Sequence, residues 1–379
     1  MNQHLDNLRE WLDRRATGSA IALMVFVGLI WQACAFVLVG QSRGIALGKA
    51  LSNWDAAWYL QIVRNGYSGS AWAYFPFYPL IVRGWVAVTG MPAEYVGLVV
   101  SIACYFAAIA IYVFGTAASG TSEGYAGHLP RGNNLGWILF VFSPAAWVFF
   151  HPHTESLYLL ILCATLFFWT RRQWQLAALM AGLASLTKNQ GSFLALATGL
   201  AACLDWWSRG RGLARSLGIL AVCGAISGAL YSLYLVYQYQ TTGDPFLFMH
   251  SQMEWRPEMT LTSYCKTFWF GNEWQNTRFG SLIHQAFFFW LVWCVVRLAV
   301  ESPRNLIWLY FAFHIGVMPM SGELVTDFRY AAVLLPLWLM MGRGLCRSSW
   351  RAVPMLAVVV TLVLHQILIR NAVIGRWAY

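Results

Sequence analysis

Residues 18–39 read GSAIALMVFVGLIWQACAFVLV, a run without one charged side chain. As a helix rising 1.5 Å per residue it matches the roughly 30 Å thickness of a bilayer's hydrocarbon core. Similar runs recur at about 95–117, 135–150, 155–170, 174–187, 191–207, 216–238, 280–297, 305–320, 328–342 and 352–370. With the first they make about eleven predicted transmembrane helices. Across all 379 residues, 59% are hydrophobic, 16% aromatic and only 11% charged, too little polar surface for a soluble domain. The sequence thus predicts an all-α polytopic membrane protein, one transmembrane domain over residues 1–379.

Outside these runs the chain is polar in a few places. Residues 4–15 (HLDNLREWLDRR) form an amphipathic pattern ending on Arg14-Arg15. The stretch 76–90 is too short to cross comfortably and carries Arg83, which predicts an interfacial or re-entrant helix. With the N-terminus inside, fourteen of the 25 basic residues fall inside, nearly all clustered near span ends. The positive-inside rule favours that orientation. It places loops at about 40–93, 151–154, 239–279 and 321–327 outside, with Asp55, Glu94, Glu155, Asp244, Glu254, Glu258, Glu273, Glu323 and Asp327. The net charge of +10 then reflects helix ends that meet anionic membrane lipids and a phosphate-bearing substrate, and does not imply nucleic acid.

The first outer loop contains NWDAAWYLQIVRNGYSGSAWAYFPFYP, residues 53–79. Asp55 opens a segment that reads as a surface helix, with Trp54, Trp58, Ile62 and, less closely, Asn65 in its helical neighbourhood. A carboxylate on such an aromatic face is partly dehydrated, which raises its basicity and suits a general base. The alternative is an N-cap at Asn53 or Asp55 within an interfacial aromatic belt.

A second group is HPHTESLY, 151–158, where Glu155 stands in a first helical turn behind Thr154. His151, His153 and Glu155 alternate as metal ligands can, but Pro152 and the short loop oppose convergence, so a substrate-binding or supporting role for Glu155 is preferred and no metal is assigned. The third group is basic. Lys188 lies at the break between two barely sufficient spans, in Lys188-Asn189-Gln190-Gly191, where a cation is costly unless it lines a cavity. Arg256 and Lys266 lie in the 239–279 loop. Arg329 follows Asp327, so it either forms a structural pair with that aspartate or holds a lipid phosphate. Trp255-Arg256-Pro257 and Phe268-Trp269-Phe270 offer aromatic walls for a sugar or lipid, or interfacial anchors.

The eight cysteines contain no C-x-x-C pair and sit, except Cys265, in or beside apolar spans, as small buried residues do. No G-x-S-x-G, P-loop, H-E-x-x-H or dinucleotide fingerprint occurs. No internal repeat is visible, which weakens a secondary-transporter reading.

The first loop resembles that of the membrane mannosyltransferases adding the second mannose to the glycosylphosphatidylinositol anchor, and their bacterial relatives, within the GT-C glycosyltransferases. The matching residues are W-D-A-A-W-Y-L-Q-I (54–62), Gly66-Tyr67 and F-P-F-Y-P (75–79). Thr154-Glu155-Ser156 is similar to the family's T-E-S, and Phe328-Arg329-Tyr330 to its late R-Y element. At the hairpin the family often has Arg-Ser-Asn-Gly; here the sequence differs but keeps a cation, Lys188.

The resemblance implies a GT-C fold with interfacial helices in the first outer loop, in a bacterial inner membrane with the active site extracytoplasmic. It implies transfer of mannose from a polyprenyl-phosphate-linked donor to a hydroxyl of a lipid, glycan or protein acceptor, inverting and without metal or cofactor. Asp55 takes the role of base. Glu155, Lys188, Asn189, Arg329, Trp54, Tyr67, Tyr78 and Arg256 are the expected substrate-binding residues. Two alternatives stand beside this reading: a flippase or transporter for a lipid or lipid-linked sugar, and a GT-C enzyme with another donor sugar.

Overall fold

A computed structural model describes residues 2–118, 129–253, 260–262, 268, 278–321, 324 and 326–376. Arg256, its neighbours Trp255 and Pro257, Cys265, Lys266, Trp269 and Phe270 lie outside the described residues. Among those described are 17 α-helices and no sheet; a single β-bridge joins Arg15 to Asn133.

Five helices are long and apolar enough to cross a membrane, the pattern of a multi-pass membrane protein: α2 (Gly18–Ser42), α6 (Ala93–Ala118), α11 (Leu213–Thr242), α13 (Arg278–Glu301) and α17 (Val353–Val373). Their large apolar side chains face outward as well as inward, among them Leu23, Phe26 and Leu38 on α2 and Val359 and Val363 on α17. Outward leucines are what a lipid-facing helix carries, because the tails are as apolar as the side chains.

The other predicted spans are shorter or interrupted. α8 (Glu155–Thr170), α9 (Trp174–Thr187) and α10 (Gly191–Ser208) are continuous, and α9 packs on α8, α10 and α11, with α8 also against α6. Three expected spans are broken, each at a proline. The run 135–150 divides into α7 (Asn134–Val141) and a 3-10 turn, Ala146–Phe150, across Pro144. The run 305–320 divides into α14 (Ile307–Gly316) and a 3-10 turn holding Pro319. The run 328–342 divides into α15 (Asp327–Ala332) and α16 (Leu335–Cys346), with Pro336 in the first turn of α16. Proline lacks the N–H for the helix ladder and pushes the residue before it out of the helical region.

These breaks are deeply enclosed. Trp147, Val148 and Phe149 at the first, and Val333 and Leu334 at the last, have no exposed surface. Two carbonyls there, each held by one backbone N–H, take a second bond from a side chain: His365 on α17 donates from Nδ1 to Ser143 O (2.8 Å), and Trp338 on α16 donates from Nε1 to Ala331 O (2.8 Å). Close helix approach is permitted by glycine: a Cβ at Gly342 on α16 would meet Gly136 N of α7 at 2.2 Å.

The polar segments follow expectation in outline. α1 (Asn2–Asp13) is the N-terminal helix, and its Arg9 donates to Cys346 O (3.0 Å) and Ser348 O (2.6 Å) at the end of α16. Beyond α2 come α3 (Leu47–Ala50), α4 (Asp55–Asn65), a 3-10 turn at Gly69–Ala73, and α5 (Phe77–Thr89), the expected short helix. At the far end of the α8–α10 group, buried Asp205 accepts from Arg172 (3.2 Å), Arg209 (3.2 Å) and Trp174 Nε1 (3.3 Å). A short helix, α12 (Leu247–Met253), packs on the 3-10 turn of the first loop.

Candidate functional site

Asp55 is the first residue of α4, and its placement depends on an unusual backbone. The preceding residue, Trp54, has φ 59° and ψ −140°. A bulky side chain at positive φ is a strained conformation that surrounding structure must enforce. Part of that enforcement comes from Asn53, whose Nδ2 donates to Ala372 O (2.9 Å) and Val373 O (3.0 Å) at the end of α17. Neither Asn53 nor Asp55 caps α4: no side-chain cap bond is made there. The N-cap alternative is thereby excluded.

Both oxygens of Asp55 have partners. Tyr74 OH donates to Oδ1 at 3.1 Å, and Arg329 Nη1 donates to Oδ2 at 2.5 Å. The same guanidinium donates from Nε to Glu155 Oε1 at 2.5 Å. Lys188 Nζ reaches that Oε1 at 2.6 Å, and Thr154 Oγ1 approaches Oε2 at 3.5 Å. The result is one chain of contacts, Lys188–Glu155–Arg329–Asp55–Tyr74, drawn from α4, α8, α15, the α9–α10 hairpin and the first loop. Two carboxylates and two cations cancel formally. Exposure is graded along it: the side chain of Glu155 is at 0%, Arg329 at 6%, Lys188 at 12% and Asp55 at 26%. Asp55 is the group most open to an incoming molecule.

Arg329 therefore does not pair with Asp327, as a structural reading of that segment expected. Asp327 is buried and accepts instead from His284 Nδ1 on α13 (2.6 Å) and from Phe328 N (2.6 Å). Burial pushes its carboxyl above the usual range, with His284 opposing. Nor do His151, His153 and Glu155 converge as ligands. His151 Nε2 contacts Ala50 O at 3.0 Å, which requires an N–H there, so its Nδ1 accepts from His153 Nδ1 at 2.8 Å. Burial pushes His151 down to about 4 and His153 well below its usual value, with the cation Arg329 adding to the depression of both. Among the described residues no three His, Cys, Asp or Glu side chains are grouped to hold a metal ion.

Lys188 follows the last residue of α9, and the hairpin that carries it closes only because residue 191 is glycine. A Cβ there would lie 2.1 Å from Ser185 N and 2.4 Å from Ala184 O. Gly191→Ala is expected to lower the thermal unfolding midpoint in detergent, by the equivalent of about 1–3 kcal/mol or more, because rigid backbone has to move. An unchanged midpoint would remove the close approach as the reason for glycine. Asn189, at the tip, is exposed, and its carbonyl rather than its side chain holds Ser192 (2.7 Å).

Three other expected residues act through the scaffold. Trp54 packs against the core beneath Asp55. Tyr67 OH donates to Tyr74 O (2.9 Å) and its ring stacks on Trp72 at 4.6 Å. Tyr78, 1% exposed, holds Gly97 O and Ser101 Oγ, both at 3.0 Å, and so pins α5 to α6. These two tyrosines are not in the charged chain.

Sequence reasoning missed Tyr74. It lies one residue before the F-P-F-Y-P match, and only the fold of the loop brings it to Asp55. Trp58 stacks on its ring (6.0 Å) and Tyr59 meets it edge-on (5.0 Å). Its backbone is fixed by Tyr234 on α11, which donates to Trp72 O (2.7 Å) and Tyr74 O (3.0 Å). Burial, then the Asp55 charge, pushes the Tyr74 hydroxyl well above its usual range, so it stays a donor. Tyr74→Phe leaves Oδ1 without that bond. A fall in the thermal midpoint equivalent to about 1.5 kcal/mol is expected, the scale of one hydrogen bond to a charged group. A midpoint equal to the parent's would show that Arg329 alone holds the carboxylate.

No family model, curated protein or solved structure matches the chain.

Proposed function

We propose that the protein is a membrane glycosyltransferase of GT-C type, transferring mannose from a polyprenyl-phosphate donor to an acceptor hydroxyl, with Asp55 as base. The observation that carries this reading is the Lys188–Glu155–Arg329–Asp55 chain, which puts one accessible carboxylate beside two largely buried cations. That combination suits a displacement in which a proton is lost at one end and a phosphate anion gained at the other.

In the proposed step Asp55 accepts the proton of the acceptor hydroxyl. The acceptor oxygen forms its bond to the anomeric carbon as the bond from that carbon to the phosphate oxygen breaks, with inversion. The bonding pair leaves on the lipid phosphate, whose charge Arg329 and Lys188 stabilise. Both cations rest on carboxylates, so in the proposed step donor binding replaces Arg329's contact with Asp55 by one with phosphate and leaves Asp55 free to act as base. On this reading the Asp55 side of a bacterial inner membrane is extracytoplasmic and the N-terminus cytoplasmic, consistent with the basic clusters at helix ends.

The test is direct. Protein purified in detergent is incubated with a polyprenyl-phosphate-mannose donor and candidate lipid, glycan and peptide acceptors, and products are identified by mass spectrometry. A mannosylated product supports the reading. Transfer only from a different lipid-linked sugar would keep the chemistry and change the donor. Headgroup translocation in proteoliposomes without any glycosidic product would replace it by transport.

A further inference from the structure

A cavity of about 370 Å³ lies at the start of α2, the end away from α4 and Asp55. Arg15, Thr17 and Ile21 form one side, Val113 on α6 a second, and Arg131 and Trp137 at the entry to α7 a third. Two of the lining residues are arginines and none is acidic. The segments bearing the arginines are joined: residues 15 and 133 form the β-bridge, and Asn134 N donates to Arg14 O at 3.0 Å. The two arginines are thus brought to one cavity by paired backbone rather than by two independent loops. The first turn of α2 adds the partial positive charge of a helix N-terminus.

Position and wall chemistry narrow the ligand. α2 and α6 are both long enough to span, and the cavity sits at the first residues of one and within the last turns of the other. That level is a membrane boundary, where phospholipid phosphates lie. At 25 residues α2 is roughly 37 Å long, so the cavity is a membrane thickness from the Asp55 end. Two guanidiniums match phosphate oxygens, while buried Ile21 and Trp137 offer an apolar floor that a small soluble anion would not use.

We propose that this cavity holds the headgroup of an anionic phospholipid from the leaflet opposite the Asp55 site. Arg15 and Arg131 contact its phosphate, and Ile21, Val113 and Trp137 its glycerol and upper chain. The proposal rests on the multi-pass membrane reading and is independent of glycosyl transfer.

The test uses the full chain in a nonionic detergent, titrated with phosphatidylglycerol, phosphatidylcholine or inorganic phosphate. Retained lipid is counted by native mass spectrometry and the melting midpoint followed. One phosphatidylglycerol is expected to stay bound and to raise the midpoint, and neither phosphatidylcholine nor inorganic phosphate should match it. In Arg15→Gln/Arg131→Gln its affinity should fall about tenfold or more, as loss of two charge-assisted phosphate contacts requires. In Arg304→Gln/Arg347→Gln, which removes equal charge elsewhere, it should not change. Undiminished binding in the first double variant overturns the site, and an equal response to inorganic phosphate overturns the lipid assignment. Should that variant fail to fold, a headgroup photo-crosslinker on the parent protein decides: label must fall within residues 15–21, 131–137 or at 113, and label confined elsewhere overturns the proposal.

Discussion

Asp55→Asn is expected to reduce sugar transfer by about 10²–10⁴-fold, the range that a positioned general base contributes. The asparagine keeps the shape and the oxygen that accepts from Tyr74, and loses the ability to take a proton. Folding should be little affected. Asp55 is the most exposed member of the charged chain, and Arg329 retains Glu155 as a partner. The measurement pairs transfer from a polyprenyl-phosphate-mannose donor with the thermal midpoint of the same preparation. Lost transfer with a midpoint near the parent's identifies the base. Full activity in a folded variant would falsify the assignment and leave Asp55 as an anchor for Arg329.

Glu155 should respond differently, because it is the enclosed hub of the chain. Its side chain has no exposed surface and one oxygen receives both Arg329 and Lys188. Glu155→Ala leaves Lys188 without its carboxylate, and breaking a buried ion pair from one side typically costs about 3–5 kcal/mol. A large fall in thermal midpoint and loss of transfer are both expected. Glu155→Gln/Lys188→Met removes one buried charge of each sign and should recover much of the midpoint. It should not recover transfer, because one of the two phosphate-stabilising cations is gone. A double variant no more stable than the single one would mean that Lys188 is adequately hydrated without Glu155, and that the pair is not coupled.

These expectations concern residues that the sequence singled out one at a time. Asp55, Glu155, Lys188 and Arg329 were each legible as a charge next to an apolar run. Their joining was not, because Arg329 lies 274 positions from Asp55 and two partners were open to it. The nearby Asp327 looked the simpler one, and the fold gives that aspartate to His284. Tyr74 carried no signal of its own beyond standing in an aromatic run. For the fold, long uninterrupted runs such as 18–39 were read within a few residues, since composition alone sets them. The runs at 135–150, 305–320 and 328–342 read as continuous because they are predominantly apolar. Hydropathy is blind to Pro144, Pro319 and Pro336, whose effect is on the backbone rather than on partitioning. Strain at Trp54 is likewise invisible to pattern, since no residue type announces an enforced positive φ.

The proline breaks bear on how the chain is made. A continuous apolar helix can leave the insertion machinery alone, because its backbone is satisfied within itself. The segments around Pro144 and Pro336 make fewer helical bonds of their own, and the carbonyls of residues 143 and 331, each held by one backbone N–H, take a second bond from a side chain. Those side chains are His365, 222 positions onward from its carbonyl, and Trp338, only 7 positions onward. The break in the 328–342 run thus completes its bonds locally, and the one after α7 gains its second bond only when α17 has been made. Closure around the α7 break is accordingly a late step of assembly, and truncation before α17 should leave that region more open to proteolysis than in the full chain.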